Sequence, residues 1–406
     1  MRTTLWAGSD TFTALRVPSF RWLWLGGLAN SATFQMSGVA QGWLVYQLTG
    51  SALALAWVST AWAVSILAFS PYGGVFCDRA EKRDLLVWMR LLMALNVALI
   101  GFLVSAESIR LWHLVASSFA SGILLSFAMP AQEALVSELV GEKTVLNALA
   151  LNSIGMGLTG IVAAYAAGVL IDTAGVASAY YVMAICYLAG VLASARLPRT
   201  GSHNPDCGSA WFDLKEGMAF ITRRPILLGL LAFALAQALF AMPYRTLMPV
   251  FAQEVMGFGG SGLGLLMAAP SLGALPASLA VAAMGDFPRK GWLVLSAGLV
   301  MGASLTLVPA TTALPLVLLF LAALGAAGNV GMVSSNALLQ SHAGDRHRGR
   351  VMSVYMMTWA LMPLGTLPGG ALADVAGVSL VLALQGLLMV GASLLLVLLM
   401  PAIRRL

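Results

Sequence analysis

The chain alternates between long apolar blocks and short polar punctuation. A helix of about 20 residues crosses a bilayer core of roughly 30 Å, and the blocks have that length. Backbone polar groups in lipid must pair within their own segment, so the blocks predict helices. They are too long and too uniformly apolar for the alternating strands of a membrane barrel. The pattern predicts twelve spans. The first six are Trp22–Tyr46, Ala52–Phe76, Leu85–Ser105, Leu111–Ala131, Leu146–Ile171 and Ala177–Ala195. The second six are Ile226–Phe251, Gly262–Met284, Trp292–Pro309, Pro315–Leu338, Val351–Ala373 and Ser379–Met400. The first twenty residues lack a short apolar core followed by a small-residue cleavage site, so span 1 is expected to stay in the mature protein.

Composition agrees with this pattern. Of 406 residues, 60% are hydrophobic and 9% charged. Soluble domains carry about a quarter charged residues, so an ordinary water-soluble globule is excluded. The net charge of +6 is distributed by topology. With the N-terminus inside, Arg2, Arg16, Arg21, Arg79, Lys82, Arg83, Lys143, Arg196, Arg199, Lys215, Arg223 and Arg224 are all cytoplasmic. So are Arg289, Lys290, Arg346, Arg348, Arg350, Arg404 and Arg405, with Arg90 just inside span 3 near the same surface. Only Arg110 and Arg245 remain toward the outside, the asymmetry that the positive-inside rule demands, with both termini cytoplasmic. The charge therefore predicts topology and attraction to membrane lipids, and nucleic acid is not expected as a partner. Cys77, Cys186 and Cys207 have neither metal-ligand nor disulfide spacing.

The chain also repeats itself. Gly168–Val176 (GVLIDTAGV) matches Gly370–Val378 (GALADVAGV) at six of nine positions, 202 residues later. ALVSELVG from Ala134 pairs with ALLQSHAG from Ala337 at an offset of 203. Such self-similarity predicts two parallel six-helix halves, 1–197 and 225–406. Residues 198–224 between them read as a cytoplasmic linker: a flexible PRTGSHNPDCGS, then WFDLKEGMAFITRR as an amphipathic helix.

Between spans 2 and 3 stands GGVFCDRAEKRD, half of it charged. Two six-helix halves with this loop resemble the major facilitator superfamily. The family's signature there is matched by Gly74, Phe76, Cys77, Asp78, Arg79, Lys82 and Arg83; Glu81 stands where the family usually has glycine. The loop between spans 8 and 9 keeps Asp286, Arg289 and Lys290, and Arg348-Gly-Arg350 before span 11 is also family-like. The physical reading is a cytoplasmic latch. Asp78 would meet the positive N-terminal end of span 11 together with Arg348 or Arg350, and Gly73 and Gly74 would let helices approach closely. A glutamate at position 81 is poorly suited to a positive φ, so a locally different turn is expected there.

Five further segments narrow the resemblance: FRWLWLGGLANSATFQM, WLVYQLTGSALALAW, MPYRTLMPVFAQEVMG, GLGLLMAAPSLGAL, and RGRVMSVYMMTWALMPLGTLPGGALAD. Together they are similar to the bacterial exporters grouped with the enterobactin exporter and macrolide efflux pumps. That likeness implies proton-driven antiport from the cytoplasm, a multi-pass protein of the bacterial inner membrane, a small-molecule substrate, protons as coupling ion, a monomer and no cofactor.

In this fold spans 1, 4, 7 and 10 line a central cavity, again by resemblance. The polar residues on them are Asn30, Gln35 and Gln41, with Trp43 and Tyr46 farther out; then Gln132 and Glu133, Gln237, Tyr244 and Arg245, and Asn329 and Asn336. Amides and aromatics without a cluster of fixed charge suit a bulky amphiphile. An ionised side chain at mid-membrane costs roughly 3 kcal/mol on insertion scales, which singles out Glu133 and Arg245. Glu133 is the candidate proton carrier; alternatively span 4 ends earlier and Glu133 joins the cytoplasmic acids Glu138 and Glu142. Arg245 would attract an anionic group, or else snorkel to the outer headgroups. Asp172 and Asp374, at equivalent outer ends of spans 5 and 11, read as helix-end or loop residues. Prolines 243, 249, 270, 276, 363 and 368 are able to bend spans 7, 8 and 11.

Other signals fall away. Gly155-Met-Gly157-Leu-Thr-Gly160 spells the dinucleotide pattern but lies inside span 5 with no strand before it, so it predicts helix packing instead. The family's antiporter Gly-Pro pair near here is replaced by Thr159-Gly160, which weakens antiport by motif. No Walker A sequence is present, and His113, His203, His342 and His347 are dispersed, so neither ATP, a metal nor a catalytic triad is expected. The resulting expectation is an all-α, twelve-span exporter of an amphipathic drug or siderophore, working by alternating access. A sugar-type importer and a non-transporting receptor or scaffold are the alternatives, and an enzyme is not expected.

Overall fold

The computed structural model describes residues 13–141, 144–199, 218–284, 289–344 and 347–400. Within its helices, the side chains of Val75, Asp78, Ser137, Val145, Leu146, Ala282 and Met284 are outside the description. Among the sequence expectations, Arg2, Glu142, Lys143, His203, Cys207, Lys215, Asp286, Asp345, Arg346, Arg404, Arg405 and most of the 198–224 linker lie outside the described residues.

The described residues form helices and contain no strand. In chain order these are α1 (Pro18–Thr49), α2 (Ala52–Arg79), α3 (Lys82–Ser105), α4 (Leu111–Val140), α5 (Val145–Ala174) and α6 (Val176–Ala195). After the linker come α7 (Pro225–Val255), α8 (Gly260–Met284), α9 (Lys290–Leu307), α10 (Leu314–Ala343), α11 (Arg348–Ala360), α12 (Pro363–Ala376) and α13 (Val378–Leu399). Ten helices among the described residues are long and apolar enough to cross a membrane. The sequence reading of span 11 is split into α11 and α12, because Pro363 has no N–H to continue the ladder past Ala360.

Helix ends follow local chemistry. Proline opens α1 in its first turn, and Gly50 closes it in the left-handed region at φ 60°, its N–H bonded to the Tyr46 carbonyl. Ser51 then caps α2 by accepting from the Ala54 N–H. This turn defines two faces of the molecule: α1 leaves the near face and reaches the far face at Gly50. Glu81 needs no positive φ. It sits at φ −67° as the residue before α3, so the turn is made by extended backbone and tolerates a side chain.

Within the first six helices, α2 packs on α4, α3 on α6, and α1 on α5 and α6; later, α10 packs on α8 and α9, and α9 on α13. The two groups meet along two seams, α5 with α8 and α12 with α2. A Cβ at Gly168 would overlap the Gly260 carbonyl, and one at Gly370 would lie 2.9 Å from the Ala52 carbonyl, so glycine sets both crossings. The dinucleotide-like glycines do the same: a Cβ at Gly157 would come 2.6 Å from Leu275 on α8. Of the two motif glycines, Gly73 backs onto the Ser126 carbonyl of α4, whereas Gly74 faces open space and is not a contact point.

Arg90 is 1% exposed and lies at the heart of the first group. It donates to the Gly190 carbonyl at 3.1 Å, to the Ser194 hydroxyl, and to the Gln132 side-chain oxygen at 3.0 Å. Its guanidinium fills space left by Gly26 and Gly190. A buried arginine is tolerable only when its N–H groups are taken up in this way.

Candidate functional site

A cavity of about 240 Å³ opens between α1–α6 and α7. Asn30, Gln35 and Gln41 of α1 line it, with Ser59 and Trp62 of α2, Ser117 and Ser121 of α4, and Tyr180 and Tyr187 of α6. The opposite wall is Arg245, Thr246 and Pro249 of α7, with Met267 and Met362. Gln41 donates to the Leu114 carbonyl at 3.4 Å, and Asn96 donates to both the Ser117 carbonyl and the Ser121 hydroxyl. Phe34 and Trp62 add a tilted aromatic pair with centroids 6.2 Å apart.

The irregularity of α7 presents Arg245 to this space. Pro243 removes the donor that would bond the Leu239 carbonyl, and the helix widens into a π turn over Gln237–Ala241; Gly365 of α12 backs onto that carbonyl. A second π turn, Phe251–Val255, follows Pro249. The regular segment between them, Tyr244–Val250, carries Arg245 into the wall while Tyr244 points into the core at 3% exposure. Among the described residues no carboxylate pairs with Arg245.

At the far face both seams are tied by acids that the sequence reading left as helix-end residues. Asp172, near the end of α5, accepts the backbone N–H groups of Gly260 at 2.6 Å and Ser261 at 2.7 Å, at the start of α8. Asp374, near the end of α12, accepts from Ala52 N–H at 2.5 Å, Leu53 N–H at 3.2 Å and the Ser51 hydroxyl at 2.6 Å, at the start of α2. Each carboxylate meets the positive end of a helix from the other group and satisfies N–H groups that no helix can pair internally. The two acids stand 202 residues apart (374 − 172), the offset of the repeat. Tyr46 of α1 also donates to Glu254 of α7, and Ser59 bonds Thr246 at 3.2 Å. The signal for this arrangement was the repeat itself, which holds both aspartates at one register.

The near face carries the charged motif. Lys82, 4% exposed, pairs with Glu138 of α4 at 2.7 Å, and Arg83 donates to the Ala195 carbonyl that ends α6. These partners lie within the first group rather than across to α11. Arg79 is exposed at the end of α2. Arg348 and Arg350 belong to the first turn of α11, which packs beside α2. The Asp78 carboxylate is outside the description. Residues 218–222, the described end of the expected amphipathic segment, are helical; Phe220 stacks on His347 at 4.1 Å, and Arg224 donates to the His342 carbonyl at 3.1 Å.

The structure thus gathers Asn30, Gln35, Gln41 and Arg245 around one space. Four other cavity candidates lie off its walls, each for a physical reason. Gln237 is spent on the Gly328 carbonyl at 3.3 Å, and Tyr244 is buried. Asn329 accepts from the Ser278 hydroxyl at 2.9 Å, and Asn336 accepts from Gln340 at 2.7 Å. Glu133 is exposed on α4, which continues as helix to Val140, and it too lies off the cavity wall. What sequence reading missed on the walls is the contribution of α2 and α6 (Ser59, Trp62, Tyr180 and Tyr187) and the α4 serines Ser117 and Ser121.

Known proteins share this arrangement. The chain is 27% identical over 362 residues to the multidrug efflux pump Tap of Mycolicibacterium fortuitum, covering 86% of this chain and 87% of that protein. It is 24% identical over 388 residues to macrolide efflux protein A of Streptococcus pyogenes, covering 91% and 93%. Its fold matches that of a bacterial homologue of the human lysosomal transporter Spinster, solved inward-facing and unoccupied, with TM-score 0.71, 14% identity and 95% coverage of both chains. The family model described as Major Facilitator Superfamily matches residues 23–366 and again 259–405. With helices, seams and cavity in this arrangement and that match spanning nearly the whole chain, the protein belongs to the Major Facilitator Superfamily of membrane transporters.

Proposed function

We propose that the protein is a proton-coupled exporter of amphipathic small molecules, working by alternating access in the bacterial inner membrane. In this reading twelve spans form two six-helix bundles, α11 and α12 together serve as one span, and both termini are cytoplasmic. The far face is then the outer face. The observation that carries the reading is a cavity walled by both groups of helices, with the Asp172 and Asp374 ties joining those groups at the far face. Such a cavity is emptied outward only when those ties break. In the opposite state Asp78 clasps the N-terminal end of α11 with Arg348 or Arg350, while Gly74, Arg79, Lys82 and Arg83 shape the loop around it. A population swing between states needs only a few kcal/mol, within reach of these groups. Asn30, Gln35, Gln41 and Arg245 contact substrate, and Glu133 carries the coupling proton from a site off the cavity wall. The efflux roles printed for the relatives support export over uptake.

The test is accumulation of a panel of dyes, macrolides and siderophores in cells with and without the protein. Lower accumulation is expected with it, dependent on the proton gradient. Glu133→Gln is expected to abolish the gradient dependence and Asp78→Asn to impair efflux at unchanged protein level. Equal accumulation across the panel would refute export.

A further inference from the structure

Among the described residues, two arginines lie well inside the long helices, away from their ends, and their surroundings differ. Arg90 is well partnered: one backbone carbonyl, one hydroxyl and one amide oxygen accept from it, and it is buried and not part of the cavity wall. Arg245 has no side-chain hydrogen bond and no ion pair among the described residues, and it lines the cavity. Among the described residues it is the one charged side chain in that wall. Ten residues, about 15 Å of helix rise, separate it from the end of α7 at Val255, so it lies well inside the helix. A guanidinium does not shed its charge at any accessible pH, so it is left needing a counter-ion.

We infer that the counter-ion is the substrate: the cavity takes amphiphiles that carry a carboxylate or phenolate, with Arg245 as the charge partner. The inference rests on the reading of this cavity as the transport site. The remaining walls suit such a molecule. Trp62, Phe34 and Tyr187 offer faces for an aromatic or aliphatic body. Ser121 accepts from Asn96 at 2.9 Å, which leaves its own hydroxyl hydrogen directed to other acceptors, such as an anionic oxygen. Cationic amphiphiles are disfavoured by the same guanidinium.

The experiment measures binding of three matched pairs, each an aromatic carboxylic acid and its methyl ester, to the purified full-length protein in lipid nanodiscs. A xanthene, a naphthalene and an anthracene supply the bodies. Acids are expected to bind at least about tenfold more tightly than their esters, the scale of one charge-assisted pair. Arg245→Gln should collapse each preference to within about twofold, with an unchanged melting temperature in the same nanodiscs reporting an intact fold; Arg245→Lys should retain a reduced preference. Equal affinity for acid and ester in the unaltered protein, or a preference that survives Arg245→Gln, overturns the anion inference alone. Failure of both members of all three pairs to bind overturns the transport-site reading and this inference with it.

Discussion

The two ends of the seam between the helix groups are built from different contacts. At the far face, each tie crosses the seam: a carboxylate from one group closes on the N-terminal N–H groups of a helix from the other. At the near face, the described partners of the charged motif stay inside the first group, where Lys82 holds α3 to α4 and Arg83 holds α3 to the end of α6. Charge density alone therefore says little about which end is fastened. Among the described contacts, two aspartates facing helix ends connect the groups, whereas Lys82 and Arg83 brace one of them.

Three variants test that difference, beginning with the largest effect. Asp172→Asn combined with Asp374→Asn removes two charges that each serve backbone N–H groups through both oxygens. Charge-assisted bonds of this kind are worth about 1.5–3 kcal/mol each before solvent screening, so a net shift of about 3 kcal/mol toward the far-open state is expected. Labelling of Ser59→Cys by a membrane-impermeant thiol reagent, with Cys77, Cys186 and Cys207 replaced by alanine, should accelerate by more than tenfold. An unchanged rate would mean that the aspartates do not hold the seam.

Lys82→Met should act differently. It leaves Glu138 without its partner and is expected to cost about 2 kcal/mol of stability, less than a fully buried pair because Glu138 is partly exposed. The melting temperature should fall while the labelling rate at position 59 stays constant, and exchanging the two charges should restore much of the loss. If labelling changed instead, the near-face pair would be a cross-seam element after all. Tyr46→Phe, at the exposed Glu254 tie, should change labelling by no more than about threefold, consistent with about 0.5 kcal/mol for an exposed polar pair. A larger effect would place this tie on a level with the aspartates.

Helix placement was legible because lipid leaves the backbone no other choice. The predicted Ala52–Phe76 lies within Ala52–Arg79, and Ala177–Ala195 within Val176–Ala195. The ends that extended were polar turns such as Gln132–Val140, which hydropathy cannot tell from loop. Side-chain roles were less legible. Gln35 and Gln237 stand one repeat apart (237 − 35 = 202), yet Gln35 lines the cavity and Gln237 is consumed by the Gly328 carbonyl. An amide reads the same in both places until its neighbours are known. Arg90 and Arg245 make the same point with a charge.

By itself, the sequence determined the membrane class, the register of the repeat and the superfamily, since apolar length, positive charge bias and motif spelling are local properties of the chain. Only the tertiary structure decided that Asp172 and Asp374 fasten the seams, that Gly73 rather than Gly74 marks a contact, and that Arg245 rather than Arg90 is left with an open valence. The physical reason is that a hydrogen bond or ion pair depends on the partner brought within about 3 Å, and these partners come from helices up to several hundred residues away.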